Sequence, residues 1–252
     1  MPSRAARARE VTLNSLALAL FPAVATLLSL SNVARALAAN AGAGITFPFP
    51  TGLPTLWTYV SLPSGPAGPS VGGPLSITAF VPLFVVGLLV TAALEAGFLG
   101  SLWRRLEGDP IAVWTSVRRY TLRMVGVNLL RFLVVLAALP LFVIPPLALL
   151  AVVVLSYLVY GLPFQIVARD VSFGPALRST VSTALSGGSY AVFGIAHLLA
   201  GAAASVVLTG VVLSTGPVGV LAGTAVVAVP AVFVATYGLL VFSAAGSTDR
   251  VA

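Results

Sequence analysis

Residues Arg104 to Arg123 read RRLEGDPIAVWTSVRRYTLR, with five arginines in twenty positions and long apolar runs on either side. A segment this charged between segments this apolar belongs in water or among lipid headgroups. The sign of its charge then predicts which side of a membrane it occupies. The apolar runs themselves are too long for buried core helices of a soluble domain, because about 20 apolar residues already span a bilayer.

Composition supports the same reading. The chain of 252 residues is 59% hydrophobic and 8% charged, with mean hydropathy +1.08, whereas a soluble domain carries about 25% charged residues. The expected fold is an all-α integral membrane helical bundle in one domain. About six transmembrane helices are expected, near 11–37, 77–103, 124–143, 147–167, 189–213 and 218–242. Two short cytoplasmic interfacial helices are expected within the segments 104–123 and 168–188. The formal charge of +7 is entirely arginine over acid, since the chain has no lysine. Beside membrane spans that surplus reads as orientation, not as nucleic-acid binding. The absence of cysteine excludes disulfides and thiol chemistry.

The N-terminal region places Arg4, Arg7 and Arg9 ahead of an apolar run, and small residues follow at 37–43. A cleaved signal peptide has that layout, but this run is longer than a usual apolar signal core, which favours a retained first helix. Pro22 is expected to bend it. Residues 38–77 carry no charge, and seven prolines fall between Pro48 and Pro74. Such density opposes helix and central strand alike, so 38–76 is expected to be an external loop with Phe47, Phe49, Trp57 and Tyr59 near the interface. Its LWTYV piece (56–60) is an alternative short re-entrant segment or strand.

In a six-span arrangement, eleven arginines fall on one side and only Arg35 on the other, with Arg131 inside. The positive-inside rule then predicts a multi-pass protein of the cell membrane with both termini in the cytoplasm. In the first cytoplasmic segment, Asp109 and Pro110 suit a helix start. Ile111, Trp114, Val117 and Thr121 share one face there, opposite Ser116, Arg119 and Arg123. In the second, Leu177, Val181, Ala184 and Leu185 oppose Ser179, Ser182 and Ser186. That spacing suits helices lying along the surface. Arg104, Arg105, Arg118, Arg119, Arg123, Arg169 and Arg178 are candidate contacts for anionic lipid headgroups. The alternative is that they only fix the topology. The 3–4 and 5–6 helix pairs share a plan of interfacial helix, span, proline-containing turn and span, as a weak internal duplication would.

The run PFQIVARDVSFGPALRSTVSTALSGG (163–188) and the preceding GFLGSLWRRLEGDPIAVWTSVRRY (97–120) resemble the membrane domain fused to some glycerophosphodiester phosphodiesterases, which also has stand-alone relatives of unassigned function. The resemblance covers residues 75–215. It implies a helical membrane domain and no phosphodiesterase chemistry, because that chemistry belongs to a separate soluble domain. The long uncharged loop has no counterpart in it.

Ionisable groups within spans are candidates for function because burying charge in lipid costs several kcal/mol. There are three: Glu95, Arg131 and His197. At 1.5 Å per residue, Glu95 lies about 13 Å from Arg104, Arg131 about 12 Å from Arg123, and His197 about 12 Å from Ser189. They are expected at similar depth as an intramembrane polar site to which Asn128 and Tyr160 contribute. Glu95 and Arg131 sit on consecutive spans and could pair; the readings are a polar site or proton relay, or one buried ion pair with a histidine hydrogen-bonded to backbone, and Arg131 could instead snorkel to the interface. Gly201, Ser205 and Thr209, then Gly219 and Gly223, permit close approach within the protein. Pro230 is expected to kink the sixth helix. One histidine, six acids and no G-x-S-x-G, Walker or Rossmann pattern exclude the common catalytic and nucleotide-binding sites. The expectation is a non-enzymatic membrane scaffold or accessory component without cofactor or metal, its partner the lipid bilayer. A small-solute or lipid transporter is the first alternative and an intramembrane enzyme the weaker one.

Overall fold

The computed structural model describes residues 3–39, 42, 44–63 and 77–244. Residues 64–76 of the proline-rich loop, part of the 37–43 run and the polar tail with Arg250 lie outside the described residues. The protein is an all-α bundle. Five helices are long and apolar enough to cross a membrane: Val81–Glu107, Val113–Leu141, Pro146–Arg169, Gly188–Thr215 and Pro217–Ser243. A sixth candidate is a bent pair, Arg4–Leu13 and Leu16–Leu28, which meet at 84°.

That corner differs from the expected single helix over 11–37 bent at Pro22. Helix α1 (Arg4–Leu13) is capped by the Ser3 hydroxyl, which accepts from the Ala6 N–H. The chain then turns at Asn14–Ser15 and resumes as a short 3₁₀ stretch leading into α2 (Leu20–Leu28) and α3 (Leu30–Ala38). Pro22 is not the break. It occupies the first turn of α2, where its missing N–H has no intrahelical partner to lose. Arginines fix the corner instead: the Arg7 guanidinium donates to the Leu106 carbonyl at 2.7 Å, and Arg105 donates to the Asn14 carbonyl at 3.1 Å.

The neighbouring helices α5 (Ile77–Glu107) and α6 (Val113–Ala138) pack closely because α5 presents glycine toward α6. A Cβ on Gly100 would lie 2.6 Å from the Ser116 Cβ, and one on Gly97 3.0 Å from Val117. With lipid outside, such close van der Waals contact rather than hydrophobic expulsion holds helices together. α6 also corrects the first expected interfacial helix. It starts at Val113 with no side-chain cap and runs unbroken into the span, while Asp109 pairs with Arg104 at 3.2 Å. Its inward face is Ser116, Tyr120, Met124 and Val127, and Trp114 points away from the bundle. The two-helix duplication therefore lacks its first element.

The fourth span is interrupted. α7 (Pro145–Val159) ends at Tyr160–Gly161, and α8 (Leu162–Arg169) follows with Pro163 in its first turn and every residue from Leu162 to Val167 buried. α9 (Phe173–Ser186) is a separate short helix, with Ala176, Thr180 and Ala184 turned inward and Leu185 outward. α10 (Gly188–Thr215) and α11 (Pro217–Ala244) form the final hairpin. α11 is the most enclosed of the five long candidate spans, and it continues through Pro230 without a break. Val232, Ala235, Leu239 and Phe242 on α11 contribute to the core.

Candidate functional site

The proline-rich segment folds back into the bundle, and this positions the polar site. Its one helical turn, α4 (Leu56–Tyr59), is made by a capping box in which Thr55 and Thr58 satisfy each other's backbone N–H groups. That local pattern makes LWTYV a helical turn and not a strand. Leu56 and Val60 are buried.

Helix hydroxyls satisfy the segment's backbone. The Thr46 N–H donates to the Ser205 Oγ at 2.9 Å, the Ser61 N–H to the Thr209 Oγ1 at 2.9 Å, and the Leu56 N–H to the Thr26 Oγ1 at 3.1 Å. The Trp57 indole donates to the Thr26 carbonyl at 2.7 Å, which also accepts from the Ser29 N–H at 3.3 Å. Arg35 closes the far end by donating to the Pro63 carbonyl at 3.0 Å. Irregular backbone survives among apolar helices only when its polar groups find partners in the protein. Gly201, Ser205 and Thr209 thus serve an unexpected purpose. Their stripe receives the segment: a Cβ on Gly201 would lie 2.5 Å from Pro48.

The deepest point of the segment is Gly52, against the middle of α5. A Cβ there would lie 2.2 Å from the Glu95 Oε1 and 2.8 Å from Leu99. Glu95 is 1% exposed. Arg131 on α6 reaches both of its oxygens through Nη1, at 3.1 and 3.2 Å. Asn128, one turn earlier on the same face, donates to the Glu95 Oε2 at 3.1 Å and to the Met124 carbonyl at 3.1 Å, and accepts from Arg131 at 3.1 Å. The two side chains do pair, and Arg131 does not snorkel away from Glu95. Glu95, Asn128 and Arg131 constitute one ionic cluster linking α5 to α6 beneath the proline-rich segment, in which the Arg131 Nη2 has no partner among the described residues.

Tyr160 and His197 are not part of that hydrogen-bonded cluster. Tyr160 donates to the Tyr190 carbonyl and stacks on Phe49 at 5.9 Å, with 16° between the rings. It shares with Arg131 a cleft of about 460 Å³ under Phe47, Phe49 and Trp57. A second cleft, about 310 Å³, reaches Arg131 and Glu95 from the side of Ser29 and Thr91. His197 lines a third cleft with Tyr59, away from both. The three-residue layer expected from depth alone does not assemble, because depth fixes height in the bundle but not the helix face.

No family model, curated protein or solved structure matches this chain. Its geometry is therefore the basis for any functional reading.

At the arginine-rich end, five of the seven candidate headgroup arginines are engaged by the protein. Arg104 holds Asp109, and Arg105 holds the α1–α2 corner. Arg119 grips both oxygens of Asp170, Arg123 adds a contact at 2.9 Å, and Arg169 donates to the Ser179 Oγ at 2.7 Å. Asp170 sits at the end of α8 with φ +50°. The hydrogen bond from Arg119 is foremost in holding its carboxyl below the ordinary value, and Arg123 adds to it. Arg118 lies over the Trp114 ring at 5.8 Å, and Arg178 borders an exposed apolar strip with Leu177, Val181 and Leu185. Among the described residues, no group of three or more potential ligands is placed to hold a metal.

Sequence reasoning missed Thr26, Gly52 and Gln165. Gln165 is fully buried in α8, and neither of its amide atoms has a partner among the described residues. The signal for the first two was the forty-residue run without charge, which suits a buried segment better than a solvated loop.

Proposed function

We propose that this multi-pass membrane protein is a non-enzymatic structural or accessory component of the cell membrane, with its arginine-rich end and both termini in the cytoplasm. The observation that carries this reading is the Glu95–Asn128–Arg131 cluster. A carboxylate 1% exposed, gripped by two side chains with the Gly52 backbone against it, fastens α5 to α6. The resemblance of residues 97–120 and 163–188 to the membrane domain of certain phosphodiesterase fusions agrees with a helical domain that lacks an activity of its own. Outward-facing Trp114 and Leu185 suit segments seated at the headgroup boundary.

Two clefts meeting at Arg131 favour a second reading, a small-solute or lipid transporter in which the pair opens and closes. One experiment separates the two. The protein is reconstituted in proteoliposomes and assayed for proton, solute and lipid flux, beside Glu95→Gln. No flux above empty liposomes is expected; flux that Glu95→Gln abolishes while the protein stays folded selects the transporter. Topology is tested separately. The natural chain has no cysteine, so Trp114→Cys gives a single thiol, expected to resist an impermeant maleimide on intact cells and to react after lysis.

A further inference from the structure

His197 is free of the ionic cluster, and its surroundings point elsewhere. It lies on α10, is 7% exposed, and its ring sits 5.9 Å from Tyr59 and 6.3 Å from Phe193. Its Nε2 is buried and has no partner among the described residues. The cleft it lines, about 370 Å³, runs between α10 and α11 along Ala200, Ala204, Leu208, Val226 and Pro230, and no charged residue borders it. Pro230 has no N–H, so the carbonyl of Val226, four residues earlier in a continuous helix, lacks its helical donor. The cleft is thus an apolar trough holding two underused hydrogen-bonding groups, within the usual size range of small-molecule sites.

We infer that this trough is a binding site for an uncharged membrane lipid with a long apolar body and a hydroxyl head, such as a long-chain alcohol. The trough excludes a charged headgroup because no counter-charge is present to offset its desolvation. A hydroxyl answers the orphaned imidazole nitrogen: it donates to a bare Nε2 or accepts from a protonated one, whichever tautomer the ring adopts. An alkane fills the trough but leaves Nε2 unpaired. This goes beyond the structural role proposed above and requires only that α10 and α11 lie in the bilayer.

The test uses the full chain in nanodiscs with hexadecanol carrying a mid-chain diazirine, and the matching alkane as control. Photolabelling is expected on residues 197–208 and 226–234 and should be competed by unlabelled hexadecanol. The alkane should need about tenfold more to compete, the worth of roughly one hydrogen bond. His197→Phe keeps the ring volume and should reduce the alcohol to the alkane's level. Ala204→Leu, at a half-buried site that leaves His197 intact, should remove competable labelling for both probes. Labelling spread evenly over outward residues such as Leu149, or equal competition by alcohol and alkane, overturns the assignment.

Discussion

Two ionic clusters in this protein use the same chemistry in opposite settings. Glu95 with Arg131 and Asn128 is enclosed near the middle of α5, where the carboxylate is 1% exposed. Asp170 with Arg119 and Arg123 stands at the arginine-rich end, where its side chain is 40% exposed. The attraction between charges rises as the local dielectric falls, and so does the cost of leaving one alone. The inner cluster should therefore be indispensable as a unit and expensive to break by halves. The outer one should be tunable and nearly dispensable. The contrast also explains why the inner cluster recruits Asn128: a buried carboxylate needs its remaining lone pairs occupied, whereas water does that for Asp170.

The largest expected effect tests the inner cluster. Arg131→Met leaves a buried carboxylate with only an amide beside it and should destabilise the protein by about 3–5 kcal/mol, read from unfolding in mixed micelles. Replacing both members, Glu95→Met with Arg131→Met, should recover most of that loss, because no charge is then stranded. If the double variant is as unstable as the single one, the cluster contributes through something other than charge pairing, and the contrast drawn here is wrong.

Gly52→Ala comes next. The added Cβ would lie 2.2 Å from the Glu95 Oε1 and 2.8 Å from Leu99, in a packed interior with little room to yield. About 1–3 kcal/mol of overpacking is expected, and Glu95→Ala in the same chain should remove much of it by clearing the space. An indifferent Gly52→Ala would mean that the proline-rich segment does not sit against α5.

These residues show what could be read beforehand. The helices and their all-α arrangement were legible, and Glu95 and Arg131 stood out as possible partners, because apolar length and the scarcity of charge are one-dimensional properties. The position of His197 was not, since helical rotation is set by side-chain packing such as Gly100 against Ser116. The break at Asn14–Ser15 was also hidden, for a proline nearby drew attention to the wrong residue. The proline-rich segment was misjudged for a different reason. Gly and Pro announce the absence of regular structure, but say nothing about whether irregular backbone lies in water or is satisfied by hydroxyls from Ser205, Thr209 and Thr26.

Thr26→Val sharpens that last point with a smaller effect. The Leu56 N–H loses its acceptor at 3.1 Å while the shape is nearly preserved, so the cost is that of one buried unsatisfied donor, about 1–3 kcal/mol. Hydrogen exchange at Leu56 should accelerate in the same variant, and exchange at Thr46, held by Ser205, should change less.

The smallest effect belongs to the outer cluster and depends on pH. The carboxyl of Asp170 is lowered by the hydrogen bond from Arg119 first and by Arg123 after it. A carboxylate with a depressed folded-state pKa contributes stability that is fully present above its unfolded value, about 3.9, and that fades as pH falls through the folded value. Asp170→Asn should therefore weaken the protein at pH 7 by only about 0.2–1 kcal/mol, since the pair is exposed and screened. The difference should stay flat from pH 7 down to about 5, shrink below about 4, and disappear in stronger acid, where the natural side chain is protonated too. Raising the salt at pH 7 should shrink it as well, whereas the penalty of Arg131→Met, which strands a carboxylate only 1% exposed, should respond less. Equal salt sensitivity in both variants would place the two clusters in the same dielectric and remove the distinction between them.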